Sequence, residues 1–302
     1  MPTLLDFRRR IRSVKNTQQI TRAMKFVAAA RLRRAQESAL AARPYALELA
    51  RMLRSIMSRI DEPQHPLLAK RDEKNILVIV LSGERGLAGA FNSNILRKAN
   101  DFIRQQSGKK IVALPVGKKG RDALKKAGFP FAAEYVNVLA KVDFGVARAI
   151  SMLVTELYTK EEIDAVYIVF SEFKSVMSAN LVVEKLLPVG EIRNEDGKKR
   201  GSDEHDGKSG EHKDETPVDY IYEQPPEQLL GKLLPRYIET QVLRSMLESS
   251  AAEYAARMVA MDSATKNAGD VIEALTLHMN KVRQAAITKE IIEIVSGANY
   301  GA

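Results

Sequence analysis

Near the C-terminus, small and apolar residues recur at alternating steps of four and three: Leu247, Ala251, Tyr254, Met258, Met261, Thr265, Ala268, Ile272, Leu275, Met279, Val282 and Ala286. A seven-residue repeat held over twelve positions marks a long helix whose stripe faces a second helix, and it leaves few folds open. Past Ala286 the stripe shifts to Ile287, Ile291, Ile294 and Ala298, and Gly297 offers a helix stop.

The N-terminal residues supply a partner. Phe7, Ile11 and Val14 follow the same spacing, which resumes at Ala28 and runs through Leu32, Ala35, Ala39, Ala42, Ala46, Leu49, Leu53, Ile56 and Ile60. Between the two stretches the register falls on Gln18, Thr21 and Lys25, while apolar residues stand at Ile20, Met24 and Val27. That displacement predicts a stutter, with the apolar face rotating around the helix. Pro44 removes a hydrogen bond and predicts a bend near Arg43.

At about 1.5 Å per residue, helices over 4–60 and 236–296 are each on the order of 85 to 90 Å long, against about 30 Å for a small domain. Neither can fold back into a globule, so they must pair. One opens the chain and the other closes it around a compact middle, which makes an antiparallel coiled coil of 1–60 with 226–302 the simplest closure.

The middle, 72–190, alternates apolar runs at Ile76–Leu81, Ile111–Val116 and Val166–Phe170 with helical stretches at Phe91–Gln106, Arg121–Lys126 and Phe144–Tyr158. Strands alternating with helices predict a mostly parallel, Rossmann-like α/β domain. Leu181–Leu187 and Val218–Tyr222 read as further strands at its edge, the second within a segment 217–225 that returns to the domain. The intervening 191–216 is charged, has Ile192 as its one aliphatic residue, and reads as a flexible loop.

Chemistry is hard to place on this chain. It has no Cys, which removes disulfides, thiolate ligands and thiol switching. Gly83, Gly86 and Gly89 lie between a strand and a helix, but their spacing matches neither a P-loop nor the dinucleotide fingerprint, so they read as a structural turn. The four histidines are scattered without metal spacing, and no nucleophile and base or carboxylate pair stands out. No catalytic, cofactor or metal site is expected. No apolar run is long enough for a membrane helix and no signal layout opens the chain, which predicts a cytoplasmic protein. Residues 1–60 carry 14 Lys and Arg against three acids, so this segment supplies +11 where the whole chain has +9. An acidic protein collar or solvated faces account for that charge. The alternative is a nucleic-acid-binding coiled-coil scaffold on an α/β domain, but the basic residues surround the helix and few aromatics accompany them.

The last segment, Ile287-Thr288-Lys289-Glu290-Ile291-Ile292-Glu293-Ile294-Val295-Ser296-Gly297-Ala298, resembles the C-terminal signature of the gamma subunit family of bacterial F-type ATP synthases. The resemblance extends to Ile11–Met24, to the Arg85-Gly86-Leu87 turn and to Glu253–Met261, in order along the whole chain. Ala88 stands where many relatives have Cys, and Asn299-Tyr300 where they carry small residues. Photosynthetic relatives bear a cysteine-containing insert near 191–216, which here has no Cys.

The resemblance implies a non-catalytic rotary shaft. Its coiled coil enters the hexamer of alpha and beta subunits. Its α/β domain rests with the epsilon subunit on the membrane ring of c subunits. The complex is peripheral to the cytoplasmic face of the bacterial inner membrane and couples proton or sodium flow to ATP synthesis. Contacts with the stator are implied at Met24, Arg283, Gln284, Thr288 and Glu290, where the Arg-Gln pair forms a releasable catch. Ile287, Ile291 and Ile294 fit an apolar bearing, because apolar contact is non-directional and creates no angular stops.

Overall fold

A computed structural model describes residues 3–58, 60, 65–190 and 224–300, apart from the side chains of Pro226 and 297–300. The edge strand expected at 218–222 and the loop at 191–216 lie outside the described residues.

Helix α1 (Leu4–Met57) opens on a capping box, in which the Thr3 hydroxyl accepts from the Asp6 amide and the Asp6 carboxylate accepts from the Thr3 amide at 2.9 Å. It passes through Pro44 without losing its helical assignment. Helix α5 (Pro226–Tyr300) opens where the segment 226–302 was expected to begin, contains a proline, Pro235, and continues past Gly297, where a stop was expected. The two run antiparallel. Phe7 meets His278 in a tilted ring contact with centroids 5.0 Å apart, Lys25 pairs with Asp262 at 2.6 Å, and Arg31 lies over the Tyr254 ring.

The expected stutter in α1 is absent. Gln18, Thr21 and Lys25 keep the seam register and build a polar layer across it. The Thr21 and Thr265 hydroxyls lie 2.8 Å apart, Gln18 donates to the Thr265 carbonyl at 3.3 Å, and Thr21 is buried. Ile20 and Val27 point outward, 60% and 53% exposed. The polar side chains find partners on α5, so the seam need not turn to seek apolar ones.

The α/β domain has strands β1 (Asn75–Leu81), β2 (Lys110–Val116), β3 (Ala165–Phe173) and β4 (Ala179–Leu187), in sheet order β2-β1-β3-β4. β1 pairs parallel with β2 and β3, and β4 runs antiparallel at the edge. Helices α2 (Phe91–Gln105), α3 (Lys118–Lys126) and α4 (Phe144–Thr159) complete it.

β1 is buried on both faces, which explains its unbroken apolar run. Ile76, Val78 and Val80 face a core that includes Phe91, Ile95 and Ala99 of α2 and Leu124 of α3. Leu77, Ile79 and Leu81 face the larger core with α4, Leu53 and Ile56 of α1, and Leu234, Ile238, Val242 and Met246 of α5. The feet of both long helices therefore form one layer of the domain, while their far ends leave it.

Glu73, just before β1, gathers the sheet edge. It accepts from Lys109 at 2.9 Å, Lys185 at 2.7 Å and Tyr167 at 2.9 Å. Burial alone would raise its pKa, but these three donors outweigh it and hold the carboxyl at about 2.

Candidate functional site

Seam positions of α5 from Leu247 to Ala286 are all buried or half-buried. From Ile287 to Ser296 every residue is exposed, because α1 begins at Leu4 and gives α5 no neighbour there. Among the described residues the end of α5 is thus a lone helix.

Its surface is two-sided. At about 100° per residue, Ile287, Ile291, Ile292, Ile294 and Val295 spread over roughly half the circumference, while Lys289, Glu290 and Glu293 occupy the other side. Lys289 and Glu293 pair at 3.5 Å. Ile294 is 72% exposed. Among the described residues nothing covers this apolar arc. The sequence singled out Ile287, Ile291 and Ile294. It missed Ile292 and Val295, whose place on the arc follows from counting 100° steps once the stripe leaves the seam.

Arg283 and Gln284 are exposed beside half-buried Val282, and Thr288 and Glu290 are exposed one to two turns further on. These four share the helix end with the isoleucines. Met24 does not. It is half-buried on α1, level with the Lys25–Asp262 pair, and 21 residues separate Asp262 from Arg283, about 30 Å along the helix. Its neighbours are the outward Ile20 and Val27, one turn before and one turn after it on the same side, and together they make a second, smaller apolar patch.

The glycine turn before α2 is engaged with the chain itself. The Gly83 amide donates to the Asn92 side chain at 2.8 Å, and Arg257 of α5 donates to the Gly86 carbonyl at 3.4 Å. Leu87 and Gly89 both sit at positive φ, 63° and 55°, so the tight turn lays its backbone on α5. Burial raises the pKa of Glu253 above the usual carboxylate range, against the pull of Arg257, whose guanidinium lies 2.6 Å from it.

Among the described residues no helix is long and apolar enough to cross a membrane.

A family model described as ATP synthase matches residues 3–299. The ATP synthase gamma chain of Solibacter usitatus is 48% identical over 302 residues, covering 99% of each chain. That of Pelotomaculum thermopropionicum is 45% identical, again over 99% of each. Among solved structures, a chain of the Euglena gracilis mitochondrial ATP synthase in its F1 and c-ring assembly superposes with a TM-score of 0.65 at 20% identity, covering 98% of this chain and 93% of that one. A chain of the same organism's rotor gives 0.60 at 20% identity over 94% and 98%. These two likenesses speak for the fold, and the identity over full length settles the family: the chain belongs to the ATP synthase gamma chains.

Proposed function

We propose that this chain is the non-catalytic central shaft of an F-type ATP synthase, turning inside the ring of alpha and beta subunits. The observation that carries the reading is full-length membership in the gamma chains, joined to a rod whose far end is a lone helix with an unpartnered apolar arc.

A two-helix rod is asymmetric about its own axis, so each angle presents a different face to three equivalent sites. Rotation then biases each site between its conformations in turn. In this reading Ile287, Ile291 and Ile294, together with Ile292 and Val295, form the bearing, since apolar contact carries no preferred angle. Arg283 and Gln284 form the catch. A guanidinium bonded to a carboxylate or carbonyl is worth roughly 1.5 to 3 kcal/mol, enough to favour one angle and still release. Thr288, Glu290 and Met24 are further contacts with the stator.

The α/β domain rests on the membrane ring of c subunits beside the epsilon subunit, on the cytoplasmic side of a bacterial inner membrane, and proton or sodium flow drives rotation. The excess of 14 Lys and Arg over three acids in residues 1–60 supports an acidic collar around the rod.

Affinity purification of the tagged chain from its own membranes tests the reading. Alpha, beta, epsilon and c subunits should co-purify with ATPase activity that the isolated chain lacks. Recovery of the chain alone, or with nucleic acid in a salt-dependent manner, would overturn it.

A further inference from the structure

The domain and the shaft meet through two kinds of contact. The first is the apolar layer of Leu234, Ile238, Val242 and Met246 against the sheet, which resists separation but is non-directional and offers little resistance to twist. The second lies one to three turns further along α5, where Ser250, Glu253, Tyr254 and Arg257 fall on one face at i, i+3, i+4 and i+7.

These four side chains reach two separate segments of the domain. Ser250 donates to the Leu139 carbonyl at 3.0 Å, and Tyr254 to the Ala140 carbonyl at 3.1 Å. Arg257 donates to the Gly86 carbonyl while its pair with Glu253 holds it in place. Tyr254 lies between two guanidiniums, Arg31 of α1 and Arg257, each 5.8 Å from its ring, so both helices share the joint.

The receiving carbonyls are themselves fixed. Glu84, in the glycine turn, accepts from the Val138 amide at 3.1 Å and from the Lys118 amide at 3.0 Å, which ties that turn to the segment before Leu139. The turn and the segment form a braced collar, and α5 is bonded to both sides of it.

We propose that Ser250, Glu253, Tyr254 and Arg257 are positioning residues that lock the shaft against axial twist relative to the α/β domain, so that torque passes between them. Hydrogen bonds are oriented, so a rotation of α5 in its seat breaks all of them together, whereas the apolar layer can slide. The proposal rests on the shaft reading.

The test uses the assembled complex in membrane vesicles and measures ATP-driven ion transport per ATP hydrolysed. Ser250→Ala, Glu253→Gln, Tyr254→Phe and Arg257→Gln together remove the oriented bonds and leave no unpaired charge. The quadruple variant should assemble and hydrolyse ATP, while transport per ATP falls about twofold or more as several bonds are lost at once.

A cross-link distinguishes lost locking from lost structure. A Cβ built on Gly89 would lie 3.6 Å from that of Ala260, within the reach of a disulfide although strained by the φ of 55° there, and the chain has no Cys of its own. Adding Gly89→Cys and Ala260→Cys to the quadruple variant should restore the ratio when oxidised and lose it again on reduction. The same cysteine pair in the native background sets the reference.

An unchanged ratio in the quadruple variant, or a lowered ratio that the oxidised cross-link leaves unrestored, overturns the proposal. If that variant does not assemble, Ser250→Ala with Tyr254→Phe is read in the same way and must show a smaller, restorable loss. Failure of the native chain to co-purify with a transporting ATPase refutes the shaft reading instead.

Discussion

The polar layer between Thr21 and Thr265 can be interrogated with a double-mutant cycle on the purified chain. The two hydroxyls lie 2.8 Å apart, and each also reaches a carbonyl of its own helix, Thr21 to Gln18 at 3.0 Å and Thr265 to Met261 at 2.7 Å. Thr→Val keeps the shape and replaces a hydroxyl by a methyl. Each hydroxyl has one proton, so one bridges the pair while the other stays on its own helix's carbonyl. Either single substitution removes the bridge but leaves the surviving hydroxyl its own carbonyl, which costs about 0.5 to 1.5 kcal/mol. Replacing both removes the polar pair, and exchange for apolar groups of equal shape is close to neutral. The singles therefore sum to about 1 to 3 kcal/mol while the double variant stays near the parent, a coupling of roughly 1 kcal/mol or more. Urea unfolding followed by helical circular dichroism, on all four chains at one protein concentration, measures it. If the double variant loses as much as the two singles combined, the hydroxyls do not act on each other and the layer is two independent half-buried threonines.

At the lone end of α5, Ile291→Lys with Ile294→Lys should mainly lower the yield of assembled complex, while Arg283→Ala with Gln284→Ala should assemble normally and turn over slowly; unchanged turnover would remove the catch assignment. Glu73→Gln should lower stability by up to about 3 kcal/mol at neutral pH. Because the folded carboxyl titrates at about 2 in place of its usual 4.5, the contribution is complete above pH 4.5 and is lost as pH falls towards 2, so the gap between native and variant in urea unfolding must close over that window. Gly117→Ala should cost more than about 3 kcal/mol and show as loss of soluble protein, because Gly117 sits at φ 109° and a Cβ there would lie 1.9 Å from the Ser82 carbonyl oxygen.

Helices and strands of the domain were legible within a few residues, since β1 is a continuous apolar run buried on both faces and α2 to α4 follow clear helical spacing. The C-terminal segment 226–302 likewise opens where α5 does, at Pro226, and the helix runs through Pro235. Leu230 and Leu234, two residues buried ahead of it, show that tertiary packing on the sheet sustains this first stretch.

The stutter expected in α1 is absent for a tertiary reason. Periodicity counts apolar side chains and cannot see that Gln18, Thr21 and Lys25 are matched across the seam by Thr265 and Asp262, 244 residues or so away. At the end of α5, the composition named the isoleucines but not their isolation, which follows from where α1 begins. The bonds of Ser250, Tyr254 and Arg257 to the domain were not legible, because their acceptors are main-chain carbonyls that carry no residue identity.

The end of the seam at Ala286 also has an elastic consequence. Torsional stiffness of a uniform rod rises with the fourth power of its radius, and a lone helix is about half as wide as a packed pair, so the segment from Ile287 outward is softer in twist by on the order of tenfold. Windup under load therefore concentrates in the final turns of α5, while the paired length behaves as a rigid bar. In the proposed shaft, a drag on the exposed arc of Ile287, Ile291 and Ile294 would show up as angular lag at the very end, while the paired length around Met24 would keep the phase set by the domain.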